Sequence, residues 1–309
     1  MEETVLIGGL GGGGDSGGAL PIALELNKLG IRTIFAGFVN AKQRDIRGAE
    51  RITEALLRVT PDSSTRRVRF FDPIISSMGY ETYCICSREH RKAAVEALEW
   101  LIKTYKVKAL IYVDLGGDSL VFGDEPRMGS WRADTRALSV LAEIGRKGLA
   151  KTYLAVGVLG GEGGGSISQN HLAENVMNLL RDGAYYGYYV PEGEAKEEVI
   201  QLISEVLRRV PSGMLKFYLD SLRGLTGLRD YNILYLRGRF YVKEYYKYHF
   251  FFDPVKVCGR SWLCQRMTER GFVSKGEIIT RSIRRRPPIR MEDAVKELLK
   301  KRINFNEII

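Results

Sequence analysis

The sequence predicts an α/β protein built on a doubly wound, mostly parallel β-sheet. Short apolar segments alternate with segments of helical periodicity through most of the chain. The apolar segments are almost continuous in hydrophobic residues, as expected of parallel strands buried on both faces. The first strand, helix and strand together take about 35 residues, which suits a βαβ unit.

The first unit is the clearest part of this pattern. The strand Val5–Ile7 is followed by a glycine run and then by the helix Leu20–Leu29. Gly30 stands where glycine commonly ends a helix, and Ile31–Val39 is the second predicted strand.

The following segments extend the alternation and predict a Rossmann-like core of residues 1–210. The predicted helices are Ile46–Val59, Arg88–Tyr105, Arg132–Lys147, Ser168–Asp182 and Glu194–Val210. Two more buried strands are expected at Val107–Val113 and Lys151–Leu159, and Phe70–Tyr80 is expected to be an irregular connection.

Residues 211–309 are expected to form a small elaboration, rich in aromatic and basic residues, that packs on the core rather than folding alone. Two short strands joined near Gly238 would account for Ile233–Tyr241, and the last helix is expected at Met291–Arg302. The aromatic run Tyr231–Phe252 suits core packing better than base stacking, although both remain open.

Composition indicates a soluble protein of ordinary globular type. The 309 residues are 45% hydrophobic and 27% charged. No apolar run approaches the roughly 20 residues of a membrane span, and the start MEETVLIGG does not resemble a signal peptide. A cytoplasmic location without membrane contact is expected.

The four cysteines do not have zinc-site spacing, so four free thiols are the first expectation. A disulfide between Cys258 and Cys264 is the alternative if the source is a hyperthermophile. Many Arg, Lys, Glu and Tyr residues and few Gln residues favour a thermophilic origin.

The chain is basic, with a net charge of +10. Basic residues accumulate near the C-terminus at Arg281, Arg284, Arg285, Arg286 and Arg290. No nucleic-acid-binding motif accompanies them, so a solvated surface is favoured over nucleic acid as a partner. Assembly into a homo-oligomer is also expected.

Glycines and carboxylates follow three predicted strands. The carboxyl ends of parallel strands meet at one sheet edge, where ligands bind, and glycine lets the backbone approach a ligand closely. The residues expected to bind the ligand are Gly11, Gly12, Gly13, Gly14, Asp15, Ser16, Gly116, Gly117 and Gly161.

The acidic residues of these loops are candidates for chemistry. Asp15, Asp114 and Asp118 are the expected metal ligands. Asp118, Glu162 and His171 are the expected catalytic residues. For Asp15, a helix N-cap or a hydrogen bond to a sugar hydroxyl are alternatives. Asp134 caps a helix or pairs locally in the simplest interpretation.

Two common phosphate-binding patterns fit the first glycine loop poorly. The loop has no lysine and so is not a P-loop. Gly9, Gly11 and Gly14 match the dinucleotide pattern formally, but the second strand runs into Asn40 and Lys42 without an acidic residue. NAD or NADP is therefore disfavoured.

Three segments together resemble an archaeal and actinobacterial family catalogued as domain of unknown function 1152. They are GGGGDSGGALPIALEL, VDLGGDSLVFGDEPRMGSWRADT and the basic C-terminal helix. Family motifs are matched by Gly116-Gly117-Asp118, Gly123-Asp124-Glu125-Pro126 and Ala133-Asp134. The resemblance covers most of the chain and departs at Gly160–Gly164, where a G-x-D-G-E-like stretch is expected. It implies a site at these loops without naming a reaction.

The leading functional hypothesis is an enzyme that acts on a nucleotide, nucleoside or phosphorylated sugar by hydrolysis or group transfer, with Mg²⁺ as the expected cofactor. The alternative is a non-catalytic module that binds a metabolite or RNA through its basic, aromatic C-terminal region. A third hypothesis is structural assembly through the same aromatic surface.

Overall fold

The computed structural model describes residues 3–11, 14–161, 167–234, 236–274, 277 and 289–308. These residues form an α/β fold in which helices pack on a nine-stranded, mostly parallel mixed sheet. The strands are β1 (Thr4–Gly9), β2 (Arg32–Val39), β3 (Glu50–Arg51), β4 (Leu56–Arg58), β5 (Thr82–Cys86), β6 (Ala109–Leu115), β7 (Lys151–Gly157), β8 (Tyr185–Tyr189), β9 (Gly227–Ile233), β10 (Leu236–Val242) and β11 (His249–Phe252).

Most of the helices lie between successive strands. They are α1 (Asp15–Lys28), α2 (Asp72–Ser77), α3 (Arg91–Tyr105), α4 (Arg132–Arg146), α5 (Gln169–Arg181), α6 (Gly193–Arg209), α7 (Gly213–Leu222), α8 (Pro254–Arg260), α9 (Trp262–Arg270), α10 (Met291–Leu298) and α11 (Phe305–Ile308). None of the helices in the described part of the chain is long and apolar enough to cross a membrane.

The sheet has the strand order β3-β4-β5-β2-β1-β6-β7-β11-β8. The five strands β5, β2, β1, β6 and β7 are parallel neighbours, and the flanking pairs are antiparallel. Every residue of β1 and β6 is buried, so both faces of the sheet are covered at its centre. This burial explains why these strands are almost purely apolar.

The predicted helix at Ile46–Val59 is wrong. The segment instead holds the short antiparallel strands β3 and β4, and β4 pairs with β5. Its apolar residues Leu57 and Val59 pack on Cys84 and Cys86 in a small separate core, so their spacing reflects a strand. The connection expected at Phe70–Tyr80 contains helix α2, and β5 was not predicted.

The C-terminal predictions also need correction. Strands β9 and β10 form a separate hairpin, but its turn follows Ile233, and Gly238 lies within β10 opposite Tyr231. Strand β11 enters the main sheet between β7 and β8, where its three phenylalanines are fully buried. The last predicted helix ends at Leu298 instead of Arg302.

The expectation of four free thiols is wrong for two of the cysteines. Cys258 and Cys264 form a disulfide, whereas Cys84 and Cys86 are free and buried. Helices α8 and α9 adjoin at Ser261, whose hydroxyl accepts a hydrogen bond from the Cys264 N–H. The abrupt change of direction there brings the two cysteine Cα atoms to 5.1 Å, within the range of a disulfide.

Candidate functional site

A cavity of about 770 Å³ opens at the carboxyl ends of β1 and β6, two adjacent strands in the middle of the sheet. Both acidic and basic side chains line it. The acidic ones are Asp15, Asp114, Asp118 and Asp134, and the basic ones, which we call the arginine rim, are Arg66, Arg67, Arg69 and Arg132. Other lining residues include Gly11, Gly14, Asn40, Ser130, Ser212 and Leu234.

Asp15 joins the two strand ends. It is the first residue of α1, and its carboxylate accepts hydrogen bonds from the Gly11 N–H and from the Leu115 N–H, both at 3.0 Å. The N-cap position is Gly14, so Asp15 is not the cap residue. Its two oxygens therefore fix the β1 loop against the end of β6.

Asp114 lies near the end of β6 and organises the turn that follows. Its carboxylate accepts hydrogen bonds from the Ser119 N–H at 3.0 Å, from the Ser119 hydroxyl and from the Gly117 N–H at 3.4 Å. Gly116 and Gly117 have φ angles of +139° and +95°, which L-residues with a side chain rarely adopt. These glycines reverse the chain and place Asp118 beside Asp114.

Asp118 and Asp134 complete the acidic group. Asp118 accepts hydrogen bonds from the Ser130 N–H at 2.9 Å and hydroxyl at 2.6 Å, and it shares a hydrogen bond with Asp134 in the first turn of α4. Ligand atoms of Asp114, Asp118 and Asp134 lie within 4.8 Å of one another, and all three residues are buried. We call these three residues the aspartate trio.

Burial makes ionisation of this group costly. Burial, and then the charge of Asp118, raises the pKa of Asp114 to about 7. Burial and the charges of Asp118, Asp114 and Asp15 raise the pKa of Asp134 well above its ordinary value. Carboxylates this close cannot all be ionised without a compensating positive charge. The trio must therefore hold protons or a cation.

The donor set of the trio fits a hard divalent cation, which prefers carboxylate and water oxygens. Asp134 would be its most available ligand, because among the described residues no backbone N–H donates to its carboxylate. Asp15 was expected to be a ligand, but it lies outside the trio and both its oxygens bind backbone N–H groups.

Gly11 has a reason to be glycine that the sequence alone did not indicate. A Cβ atom at this position would lie 1.6 Å from Asp134 Oδ1. The bare backbone of the first glycine loop thus leaves room for an aspartate from a helix more than 100 residues later in the chain.

Sequence reasoning missed the arginine rim. Arg66, Arg67 and Arg69 lie between β4 and α2, after the segment Ile46–Val59 that was wrongly predicted to be a helix. The R-R-x-R spacing was a usable signal, but it does not follow a parallel strand. The rim brings positive charge to the cavity that holds the aspartates, and one of its members, Arg67, lies 3.6 Å from the carboxylate of Asp45.

The other candidate residues are distributed as follows. Ser16 is buried beside Gly37, where a Cβ would lie 2.6 Å from its hydroxyl. Gly161 donates its N–H to the Val158 carbonyl at 2.7 Å and lines a different groove. His171 shares a 2.7 Å hydrogen bond with the Ser168 hydroxyl and is not among the described residues that line the cavity.

Some candidates lie outside the described residues. These are Gly12, Gly13 and Glu162, together with the basic residues Arg281, Arg284, Arg285 and Arg286.

Asp72 is a further buried carboxylate at this edge of the sheet. It begins α2, and a Cβ at Gly37 would lie 2.8 Å from its Oδ1 atom, next to Ser16. Burial raises the pKa of Asp72 from 3.8 to about 7. Asp72 therefore stays protonated in the folded protein at mildly acidic pH.

The raised pKa of Asp72 predicts a pH dependence of stability. Above pH 3.8 the unfolded state has released the Asp72 proton while the folded state still holds it. The contribution of protonated Asp72 to the free energy of unfolding is therefore complete below pH 3.8 and is lost as the pH rises to about 7. Asp72→Asn removes the loss. Between pH 4 and pH 8 (a span of about four units), the variant should gain up to about 4 kcal/mol of unfolding free energy relative to wild type.

Urea unfolding at several pH values measures this gain. Asp62→Asn, a substitution of an exposed aspartate, is the matched control and should follow the wild-type curve. If Asp72→Asn and wild type also give parallel curves, the buried Asp72 does not carry the raised pKa.

Comparison with protein families confirms the resemblance seen in the motifs. The family model described as "Protein of unknown function (DUF1152)" matches residues 6–284 of the chain. The chain therefore belongs to this family. A search of curated proteins returns no match.

Proposed function

We propose that this member of the DUF1152 family is an enzyme that binds a nucleotide, nucleoside or phosphorylated sugar together with a divalent cation, Mg²⁺ being the first candidate. We further propose that it hydrolyses this ligand or transfers a group from it. The observation that carries the proposal is a buried aspartate trio facing an arginine rim within one cavity.

The position of the cavity supports this proposal. The parallel strands occur in the order β5-β2-β1-β6-β7, so the chain moves outward from β1 in one direction first and then in the other. In doubly wound, Rossmann-like sheets, ligands bind at the carboxyl ends of the strands where the order reverses. We therefore also propose that the sheet is of the doubly wound, Rossmann-like type, because Asp15 and Asp114 lie where the strand order reverses.

The mixture of charges favours a cation and an anion that bind together. Aspartates alone would repel a phosphate, and arginines alone would repel a metal ion. A phosphate ligand that carries Mg²⁺ presents both charges, the cation toward the trio and the phosphate oxygens toward the rim. The cavity volume of about 770 Å³ is in the range of small-molecule sites.

The residues of the chain would then have distinct roles. Asp114, Asp118 and Asp134 would hold the cation, and Asp15 would keep the β1 and β6 loops together. The arginine rim would orient the phosphate. A bound divalent cation would polarise a phosphoryl oxygen or lower the pKa of a water molecule. Asp118, Glu162 and His171 remain our candidates for proton transfer.

Nucleic acid receives less support as the ligand. Base stacking needs exposed rings, but Tyr245, Tyr246 and the phenylalanines of β11 are buried in the core, and Tyr241 is the large exposed ring of the β9–β10 hairpin among the described residues. We therefore do not propose RNA binding, and the experiment below includes RNA so that such binding would be detected.

Calorimetric titration with Mg²⁺, followed by nucleotides, sugar phosphates and a short RNA, tests the proposal. The Asp118→Asn variant should lose about tenfold or more in Mg²⁺ affinity and a similar factor for the phosphate ligand measured with Mg²⁺. Asp230→Asn, which changes an exposed aspartate of β9, is the control. Undiminished Mg²⁺ binding in Asp118→Asn would remove Asp118 from the site, and tight RNA binding without Mg²⁺ would favour the alternative.

A further inference from the structure

A second cavity of about 500 Å³ adjoins the first one. Both cavities are lined by Asn40, Arg132 and Ala133, so they are parts of one cleft. From the side of the aspartate trio, the second cavity extends toward Arg88, which follows the end of β5, and toward Phe272, which follows the end of α9.

Three arginines face this second cavity without acidic partners. They are Arg88, Arg132 and Arg136, and within the described ranges none of them forms an ion pair with Asp or Glu. Arg136 is half-buried where it lines this cavity. Charges that are partly removed from water are normally paired.

Arg136 is held in place by backbone oxygens rather than by a carboxylate. Its Nη1 donates to the Ser87 carbonyl at 2.7 Å and its Nη2 to the Gly271 carbonyl at 3.5 Å. These bonds fix the direction of the guanidinium and leave its charge uncompensated. A guanidinium has five N–H donors in a planar fork, so donors remain for a planar or tetrahedral anion.

Much of the remaining wall of the second cavity is apolar. It is formed by Trp131, Met267, Phe272 and Val273. Phe272 is 58% exposed, which is unusual for a phenylalanine and places its ring at the surface beside the arginines. Arg132 also lies over the Trp131 ring, 4.9 Å from the ring centre, so its side chain is partly ordered before a ligand binds.

We propose that the second cavity is an anion-binding subsite that takes a phosphate or carboxylate group of the ligand. That one ligand fills both cavities rests on the proposed function, in which the cation and the first phosphate occupy the cavity of the aspartate trio. The ligand then carries two anionic groups, and the apolar wall contacts the part of the ligand beside the second one.

Binding of inorganic phosphate in the presence of EDTA tests the subsite without any metal. The site-specific readout is the indole N–H signal of Trp131 in an NMR titration, assigned with Trp131→Phe. Arg88→Gln and Arg136→Gln should each weaken the phosphate-dependent shift about tenfold. Arg88 is exposed, so its variant should fold even if loss of the Arg136 hydrogen bonds destabilises the protein.

Arg146→Gln is the matched control, because Arg146 is an exposed arginine on the same helix α4. It should leave phosphate binding unchanged. A parallel titration with acetate distinguishes a carboxylate ligand, for which acetate should compete at concentrations similar to phosphate. Phosphate that fails to move the Trp131 signal, or that moves it equally in Arg88→Gln, would overturn the subsite.

Failure of the proposed function looks different in these experiments. If Mg²⁺ does not bind while phosphate still shifts Trp131 through Arg88, the cation site is wrong and the anion subsite stands. If Mg²⁺ binds and phosphate does not reach Trp131, the subsite is wrong and the cation site stands.

Discussion

Replacement of Asp134 by asparagine is expected to abolish Mg²⁺ binding and, without metal, to stabilise the folded protein. The carboxylate of Asp134 is buried beside Asp118 and Asp114, and burial together with their charges raises its pKa well above the ordinary value. The folded state therefore holds a proton at a pH where the unfolded state has released it, so Asp134 lowers stability as the pH rises. The amide of asparagine removes this cost and can still donate a hydrogen bond to Asp118.

At pH 8 the metal-free Asp134→Asn variant should be more stable than wild type by roughly 1–3 kcal/mol, a typical size for relief of a buried charge. Mg²⁺ should stabilise wild type by about 2.7 kcal/mol when its concentration is about 100 times the dissociation constant, and it should leave the variant unchanged. Thermal unfolding with and without Mg²⁺ measures both effects.

Asp230→Asn is again the control, since it removes an exposed aspartate and should keep the response to Mg²⁺. A destabilised Asp134→Asn protein that still responds fully to Mg²⁺ would mean that Asp134 has a structural role and is not a ligand.

Substitution of Gly11 by alanine is expected to weaken cation binding although it replaces none of the carboxylates. The new Cβ would lie 1.6 Å from Asp134 Oδ1 and 2.7 Å from its Cγ, so the Asp134 side chain must leave its position. Displacement of one ligand of three should weaken Mg²⁺ affinity by about tenfold to 100-fold, and the rearrangement should cost roughly 1–3 kcal/mol of stability.

Gly259→Ala provides the control for a change of glycine to alanine, because no atom lies within 4 Å of a Cβ at that position and its φ is not positive. Calorimetry with Mg²⁺ on both variants gives the comparison. Wild-type affinity in Gly11→Ala would show that the loop moves freely away from Asp134 and that the close approach has no bearing on cation binding.

The centre of the fold was predictable because its physics is local. Strands β1, β6 and β7 are short apolar runs, and the helices between them show helical periodicity, so the α/β class follows from the pattern. The segment Ile46–Val59 was mispredicted because Leu57 and Val59 pack in a small core with Cys84 and Cys86, and that contact is not visible in the local spacing.

The C-terminal part illustrates the same limit. Strand β11 consists of a histidine and three phenylalanines, and nothing in this short run indicates that it would pair with β7 and β8 in the main sheet. The disulfide between Cys258 and Cys264 depends on the change of direction at Ser261, which spacing alone did not determine.

The candidate site was partly predictable for a related reason. Asp114 and Asp118 follow a parallel strand directly, so the rule for strand ends placed them correctly at the sheet edge. Asp134 reaches them from the first turn of a helix, and Arg66, Arg67 and Arg69 reach the cavity from a segment after an antiparallel strand. The positions of these side chains at the cavity depend on tertiary packing. For Asp134, the family resemblance, through the Ala133-Asp134 pair, was the one indication of a site residue.

The central claim is that the aspartate trio binds a divalent cation. Anomalous diffraction from crystals soaked in Mn²⁺, which prefers the same oxygen ligands as Mg²⁺, tests this claim most directly. We expect an anomalous peak within about 2.5 Å of carboxylate oxygens of Asp114, Asp118 and Asp134, and its loss in Asp134→Asn crystals. Wild-type crystals without a peak at the trio, at Mn²⁺ concentrations that occupy other carboxylate sites, would contradict it.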